Sequence, residues 1–318
     1  MTRGPLLAVQ IGLSLVIVIW GATYPLIKSL LHWLSPMELM LARFGIGSLL
    51  LLPVLWRWRG EIGGLLRRQP WRVLLVALLG VPGYHLSLNI GTRLMMADTD
   101  TEDSAAMLAS ILVATVPAWT ALFSRLTGLE RLSGRQWLGQ GLAFAGVVFI
   151  VSRGDIGAVR LTSGALWALG AAVSWALYSV IARPLLAGAR SSLPLTSIAL
   201  VLGTLLMVPF SPAGVLGRLG AMPASAWGQL LFIAVLSTVA GYLVWAKAIQ
   251  VMTATGAAAY IYFIPIVSAL VSILFFGERL GLLALLGGGL ILGGVLLIQR
   301  ARIPARPPGG LPSRSAAR

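Results

Sequence analysis

Residues 112–132 read LVATVPAWTALFSRLTGLERL, and residues 260–280 read YIYFIPIVSALVSILFFGERL. At a constant offset of 148 residues, Pro117 matches Pro265, and the Glu-Arg-Leu triplet at Glu130 matches the triplet at Glu278. Three glycines that follow in each copy keep this offset, at 139, 141 and 146 and at 287, 289 and 294. Chance similarity between leucine-rich segments does not explain a gap-free pattern of this kind. The chain therefore contains an internal repeat.

The composition around this repeat is that of a chain surrounded by lipid. Of 318 residues, 58% are hydrophobic and only 10% are charged, too few charges to cover a soluble protein of this length. The net charge of +15 comes from arginines that lie between apolar runs, a pattern typical of loops beside membrane spans. We therefore predict no nucleic-acid partner, and we expect the lipid bilayer to be the principal environment.

Apolar runs long enough to cross about 30 Å of hydrocarbon as helices recur along the chain. They predict an all-α integral membrane protein with ten transmembrane helices. The predicted spans are roughly 5–27, 38–56, 73–92, 104–125, 136–152, 161–182, 193–210, 226–247, 254–276 and 280–299. Residues 300–318, rich in Pro, Arg and Ser, are predicted to form a disordered cytoplasmic tail.

The span count sets the relation between the two copies of the repeat. Residues 5–152 and 161–299 each hold five spans, an odd number, so the second copy must be inverted in the membrane. Lys and Arg concentrate in the loops on the side of the N-terminus, which predicts that both termini are cytoplasmic. Inverted repeats are typical of secondary transporters with a site near the midplane, working by alternating access.

Several short motifs support a family resemblance. The first half contains Trp20-Gly21-Ala22-Thr23-Tyr24, Ala42-Arg43-Phe44 and the Pro117 and Glu130 motifs, and the second half repeats the pattern with Trp175, Pro265 and Gly277-Glu278-Arg279-Leu280. From about residue 10 to 299, the chain resembles the EamA family of the drug/metabolite transporter superfamily. The resemblance implies a ten-helix fold in the inner membrane. It also implies export or exchange of small metabolites, with amino acids and related compounds the commonest substrates.

Aromatic and polar side chains at helical spacing are the candidate substrate site. Trp20 and Tyr24 share one helix face, and Trp175 and Tyr178 share another. We expect these side chains to line a central cavity formed by the first, third, sixth and eighth spans, unless they serve helix packing or the interfacial belt. The predicted substrate-binding residues are Trp20, Tyr24, Tyr84, His85, Asn89, Trp175, Tyr178, Tyr242 and Trp245. Tyr260 and Tyr262 are weaker candidates.

Arg43 lies inside the second predicted span, where insertion scales penalise a cation by roughly 2.5–3.5 kcal/mol. Two interpretations are open. Arg43 is either an anchor for a substrate carboxylate or a structural arginine neutralised by helix carbonyls or by Glu38. Because the family places an arginine here in proteins with different substrates, the sequence favours the structural role.

Three further features have weaker implications. His85 and Asn89 are four residues apart, which would put a titratable imidazole on a polar helix face and invites a proton relay, although a packing histidine is the commoner case. Pro117 and Pro265 each remove a helix hydrogen bond in mid-span and are predicted hinges. The repeated glycines are assigned to close helix packing, with a homodimer interface as the alternative.

Other chemistries find little support. The chain has no cysteine, and its one acidic cluster, Asp98 to Asp103, is interpreted as a solvated loop rather than a Mg²⁺ or Ca²⁺ site. No Gly-Lys-Ser/Thr phosphate loop is present. We therefore predict no catalytic residue, metal or cofactor and a small-molecule substrate. The alternatives that stay open are a lipid- or prenyl-modifying membrane enzyme and a non-transporting assembly protein.

Overall fold

The computed structural model describes residues 3–98, 105–130, 132–151, 162–276 and 282–300, and these residues are helical with no strand. The first half consists of α1 (Arg3–Leu30), α2 (Pro36–Arg57), α3 (Arg59–Arg68), α4 (Pro70–Leu78), α5 (Ser87–Met96), α6 (Ala105–Val113), α7 (Val116–Leu126) and α8 (Gly134–Val151). The second half consists of α9 (Ser163–Ala187), α10 (Leu193–Leu205), α11 (Val215–Ala221), α12 (Ala224–Phe232), α13 (Gly241–Val251), α14 (Ala254–Ala258), α15 (Ile264–Phe276) and α16 (Leu282–Arg300).

Seven helical stretches among the described residues are long and apolar enough to cross a membrane. They are Leu6–Leu30, Pro36–Arg57, Pro70–Met96, Ala105–Leu126, Ser163–Ala187, Leu193–Phe210 and Ala224–Val251. Shorter apolar helices occupy Ala254–Ser268 and Leu286–Ile298. Each of the ten predicted spans overlaps at least one helix, and the prediction of an all-helical membrane protein is confirmed. The count of ten crossings stays a prediction.

Two long helices are interrupted at matching places. A first π segment (Leu79–Leu86) joins α4 to α5, and a second π segment (Ile233–Ala240) joins α12 to α13. Each has eight residues and starts nine residues after its helix begins. In a π-helix the hydrogen bonds run from i to i+5, so carbonyls at the transitions are open to other donors. Segments of this kind frequently mark functional sites.

The predicted mid-span prolines lie where two other helices are broken. α6 ends at Val113 and α7 begins at Val116, with Pro117 as its second residue. A 3₁₀ segment (Ala259–Phe263) precedes α15, whose second residue is Pro265. A proline lacks the N–H that a continuous helix would use, and it is well tolerated in the first turn of a helix. Each proline therefore starts a new helix, and the hinge role stays a prediction.

The packing between the halves is paired. The first helix of each half packs against helices of the other half. α1 packs against α13 and α15, and α9 packs against α5, α6 and α7. α2 packs against α10, and α8 packs against α16. α9 contacts the first π segment and α1 contacts the second. The middles of α1 and α9 therefore lie at the centre of the molecule.

Glycines allow α8 and α16 to approach closely. A Cβ atom on Gly294 would lie 2.5 Å from the carbonyl oxygen of Gly139, and one on Gly146 would lie 2.6 Å from that of Gly287. Such backbone contact is typical of small residues at membrane helix interfaces. The packing interpretation of these glycines agrees with the structure. By contrast, a Cβ on Gly141 or on Gly289 would meet nothing within 4 Å.

Gly294→Ala should destabilise the protein because the added methyl group collides with the backbone of α8. We expect a loss of about 1–3 kcal/mol, as for overpacking in other cores. Gly141→Ala is the matched control, and it should be neutral or slightly stabilising since its methyl group points into open space. Thermal unfolding of both variants in detergent measures the difference. Equal stability of the two variants would contradict this helix contact.

Candidate functional site

A small cavity, lined mostly by buried residues, lies where α1, α2, α9 and the two π segments meet. Seven predicted site residues line it: Trp20, Tyr24, Arg43, Tyr84, His85, Trp175 and Tyr242. They come from the first, third, sixth and eighth predicted spans, as expected, and also from the second through Arg43. The cavity measures about 30 Å³, whereas one water needs roughly 10–15 Å³ on this measure. In this conformation the cavity has room for about two or three waters and is too small for a metabolite.

The walls of the cavity are aromatic. The rings of Trp20 and Trp175 meet edge to face, with centroids 5.4 Å apart and an interplanar angle of 89°. Trp175 also packs against Tyr84 at 4.8 Å and against Tyr242 at 5.2 Å. Gly241 allows this close packing, because a Cβ there would lie 2.6 Å from the indole nitrogen of Trp20. The pairing of Trp20 with Trp175 in sequence thus corresponds to direct contact across the two halves.

The two indoles differ in their hydrogen bonding. Trp20 Nε1 donates to the carbonyl oxygen of Ser237, in the second π segment, at 2.9 Å. Trp175 is 3% exposed, and its Nε1 has no hydrogen-bond partner among the described residues. A buried N–H without a hydrogen-bond partner is unfavourable. The indole N–H of Trp175 is therefore available to donate a hydrogen bond to a ligand in the cavity.

Arg43 is buried, with 4% of its surface exposed, and its guanidinium is held by the second π segment. Nε donates to Thr238 Oγ1 at 2.5 Å, and Nη2 donates to Ser237 Oγ at 2.9 Å. Nη1 lies 3.4 Å from His85 Nδ1. These partners are neutral, and within the described residues no carboxylate forms an ion pair with Arg43.

Glu38 is engaged elsewhere. Its carboxylate accepts from the guanidinium of Arg218 in an ion pair, and it accepts from the backbone N–H of Ser35 at 2.8 Å, which completes a capping box at the start of α2. Glu38 therefore does not neutralise Arg43, which corrects that part of the structural interpretation of Arg43. The hydroxyl groups of Ser237 and Thr238 take its place.

Hydrogen bonding around Arg43 defines the state of His85. A guanidinium only donates, so His85 Nδ1 accepts and Nε2 carries the proton. Nε2 then donates to the hydroxyl oxygen of Tyr242 at 2.8 Å, and Tyr242 donates its own proton to the carbonyl oxygen of Gly80 in the first π segment. A second proton on His85 would place two donors face to face beside Arg43. This arrangement favours a neutral histidine that orients other groups over a proton relay.

Three of the predicted site residues do not line the cavity. Asn89 donates to the carbonyl oxygen of Pro36 at 3.1 Å. Tyr178 packs behind Trp175 at 5.0 Å. Trp245 supports both central tryptophans, at 5.6 Å from Trp20 and 5.5 Å from Trp175, and donates to Ser179 Oγ at 3.3 Å.

The two weaker tyrosine candidates are also absent from the cavity wall. Tyr262 is completely buried and donates to Gln140 Oε1 at 2.7 Å, in a separate cluster around α8 and α16. Tyr260 is half-buried beside the main core. A packing role accounts for Tyr262.

Sequence reasoning missed the polar pair Ser237–Thr238, which binds Arg43. The signal was present, since two adjacent hydroxyl residues interrupt an apolar run in the eighth span. It also missed Thr23, which shares a helix face with Trp20 and lines the cavity. Apolar wall residues from the broken helices, Val113 and Ile264, sit next to Pro117 and Pro265.

Two carboxylates outside the cavity bridge the two halves of the chain. Glu38 of α2 binds Arg218 of α11. The buried Glu130, after α7, accepts from the backbone N–H of Ala254 at 2.7 Å and of Thr255 at 3.4 Å. A carboxylate is favourable at this helix start because the first N–H groups of a helix have no internal partner.

The described residues hold no group of three His, Cys, Asp or Glu side chains placed to bind a metal ion. Of the acidic cluster, only Asp98 is described. The other three acids, together with Glu278, Arg279 and the tail beyond Arg300, lie outside the described residues.

An all-helical, lipid-facing bundle with a cavity between two sets of helices is typical of a membrane transporter. Consistent with this, the chain belongs to the EamA-like transporter family, whose model matches residues 8–152 and again 162–300. A probable terminal-alkyne amino-acid exporter of Streptantibioticus cattleyicolor is 30% identical, covering 95% of this chain and 97% of that protein.

Other relatives are transporters whose substrates their names do not state. The uncharacterized transporter YdfC of Bacillus subtilis is 32% identical, covering 90% of this chain and 89% of its own. The uncharacterized inner membrane transporter YedA of Escherichia coli K12 is 29% identical, covering 91% and 90%. A solved crystal structure with 20% identity aligns with a TM-score of 0.66 over 90% of this chain and 94% of its own, which supports the fold.

Tyr242→Phe should destabilise the protein, because it removes the acceptor of His85 and the donor to Gly80 in one step. Leaving such buried groups unpaired costs about 1–3 kcal/mol. Tyr24→Phe is the matched control, since the Tyr24 hydroxyl has only a long 3.4 Å contact with that of Tyr84. Thermal unfolding in detergent should rank Tyr242→Phe well below Tyr24→Phe. The opposite order would refute the network proposed around His85.

Proposed function

We propose that this protein is a secondary transporter, an exporter or exchanger, of small carboxylated metabolites such as amino acids. The observation that carries the proposal is Arg43, a buried cation in the wall of the cavity. The described partners of Arg43 are all neutral. Arg43 is assigned as the anchor of the substrate carboxylate.

Arg43 has no anionic partner among the described residues, which is energetically unfavourable for a cation in a membrane span. A cation within a membrane span is penalised by roughly 2.5–3.5 kcal/mol on insertion scales, and it requires water, a counter-charge or polar partners. Hydroxyl groups relieve this penalty only in part, because they carry no charge. A substrate carboxylate can accept two parallel hydrogen bonds from a guanidinium, which is among the strongest polar contacts in proteins.

The rest of the wall suits the other end of an amino acid. Trp20, Trp175 and Tyr84 line the same cavity as Arg43, and aromatic faces attract ammonium groups by cation–π interaction. The free indole N–H of Trp175 offers an additional donor to the substrate. The name of the Streptantibioticus relative, an amino-acid exporter, points the same way.

Alternating access follows from the size of the cavity. A metabolite cannot fit in about 30 Å³, so the cavity must expand and open. The contacts of Glu38 with Arg218 and of Glu130 with α14 join the two halves on opposite predicted sides of the membrane, and releasing one while keeping the other would open a single side. The helix breaks at Pro117 and Pro265 lie next to the cavity and are proposed hinges.

The wider architecture belongs to the same proposal. Residues 5–152 and 161–299 would form two inverted five-helix repeats with ten crossings, supported by the twofold family match and by the matching π segments. The protein would lie in the inner membrane with both termini and the tail 300–318 in the cytoplasm. A homodimer through α8 or α16 is not needed for the cavity.

Counterflow in proteoliposomes tests the proposal with paired solutes, each amino acid beside the amine that lacks its carboxylate. We expect exchange of amino acids and little exchange of the amines. Arg43→Lys keeps the charge but loses the planar fork, and it should reduce exchange at least tenfold, since one good charged hydrogen bond contributes about 1.5–3 kcal/mol. Arg125→Gln, an exposed arginine far from the cavity, is the control.

The unfolding temperature of the wild-type protein provides a second measurement, which does not depend on whether the Arg43 variants fold. In the wild-type protein, a transported carboxylated solute should raise the unfolding temperature, and its amine should not. Equal exchange of acids and amines by folded wild-type protein would reject Arg43 as the carboxylate anchor. A lack of exchange across the whole panel would reject the metabolite assignment itself.

A further inference from the structure

A second hollow lies far from the cavity, at the end of the molecule where α2 ends. It separates the short helix α3 from the connection between α9 and α10 and measures about 590 Å³. An adjoining hollow of about 380 Å³ shares Gly60, Glu61 and Arg190 with it. We call the two together the α3 groove. It is wide enough to admit a large ligand without any rearrangement.

Three arginines converge on the α3 groove. Arg57 ends α2, Arg68 ends α3, and Arg190 lies in the connection from α9 to α10. None of them forms an ion pair within the described part of the chain, and one acid, Glu61, also lines the groove. The groove therefore has an excess of positive charge from three separate elements. Guanidinium groups bind phosphate oxygens through paired, fixed N–H donors.

The other wall of the groove is apolar. Leu65 of α3 faces Leu185 and Pro184 of α9 and Leu195 of α10. Leu65 is itself partly buried against the main core, so α3 holds a fixed position beside the bundle. A ligand that fills the groove must therefore present both an anionic group and an apolar chain.

The level of the groove is that of the membrane interface. It lies where α2 and α9 end and α10 begins, all of which are apolar stretches of spanning length. Trp56 and Trp71, at the ends of α2 and α4, are 70% and 75% exposed, as in the aromatic belt at the boundary between lipid and water. Arg59 lies 5.4 Å above the ring of Trp56.

From this combination we propose that the α3 groove is a binding site for an anionic phospholipid. The phosphate contacts Arg57, Arg68 and Arg190, and one acyl chain runs along Leu65, Leu185 and Leu195. A small soluble anion would leave the apolar wall uncovered. The chain's own tail, residues 301–318, carries four arginines and no acid, so the charge of the groove repels it.

Lipid retention and thermal stabilisation test this site in the full-length protein. The protein is purified in mild detergent and incubated with phosphatidylglycerol or phosphatidylcholine, and bound lipid is counted by native mass spectrometry. The groove variant is Arg57→Gln, Arg68→Gln and Arg190→Gln together. The matched control is Arg67→Gln, Arg125→Gln and Arg135→Gln, which removes the same charge outside the groove, on the same predicted side of the membrane.

We expect wild-type protein and the control variant to retain phosphatidylglycerol and to be stabilised by it, with little effect of phosphatidylcholine. The groove variant should lose at least tenfold in phosphatidylglycerol affinity, since each cation near an anionic surface contributes roughly a factor of five. If the triple variant does not fold, Arg57→Gln and Arg190→Gln singly are compared with Arg67→Gln.

Two results would overturn the proposal. Equal phosphatidylglycerol retention by the groove and control variants would show that general charge, not this groove, attracts the lipid. Stabilisation by inorganic phosphate alone, at a level equal to that by phosphatidylglycerol, would show that the groove takes a soluble anion.

Discussion

The guanidinium of Arg43 is the constraint on which the centre of this protein depends. A permanent cation in the middle of a helical bundle has to be held by polar groups, and regular membrane helices offer few of them because their backbone groups are already paired. Here the second π segment supplies the hydroxyls of Ser237 and Thr238, and its Ser237 carbonyl also receives the indole N–H of Trp20.

The first π segment completes the same network from the other half of the chain. Its Gly80 carbonyl accepts from Tyr242, which orients His85, and His85 in turn faces Arg43. The two π segments thus bring polar groups into contact around the buried guanidinium of Arg43. The resulting cavity is lined by a cation and by aromatic rings, groups that are suited to the carboxylate and the ammonium of an amino acid.

Patterns along the chain predict most of this architecture. The length of the apolar runs determines an all-helical membrane protein, and the repeat around Pro117 and Pro265 marks where two helices break, because a proline cannot continue the hydrogen bonding of a helix. The pairing of Trp20 with Trp175 predicts two residues that meet in space. These features depend on composition and local backbone chemistry, which are visible in a single sequence.

Side-chain direction is less accessible from sequence. The four-residue spacing of His85 and Asn89 implies a shared face in an α-helix, but the first π segment runs to Leu86 and changes the number of residues per turn. In the structure His85 lines the cavity, whereas Asn89 binds the carbonyl oxygen of Pro36. The partner of Arg43 is another example. Glu38 is the acid nearest to Arg43 in sequence, yet its carboxylate binds Arg218 of α11, 180 residues further along the chain. The partners of these side chains are determined by tertiary packing, which the local sequence does not reveal.

Labelling of a single cysteine at position 23, from each side of the membrane separately, tests alternating access around Arg43. Thr23 is 5% exposed in the cavity wall, and the chain has no other cysteine. Alternating access around Arg43 predicts that a membrane-impermeant thiol reagent labels Thr23→Cys from either side of the membrane. It also predicts that a transported amino acid slows this labelling, whereas the corresponding amine without the carboxylate does not. Labelling from one side only, or equal protection by the amine, would contradict the account.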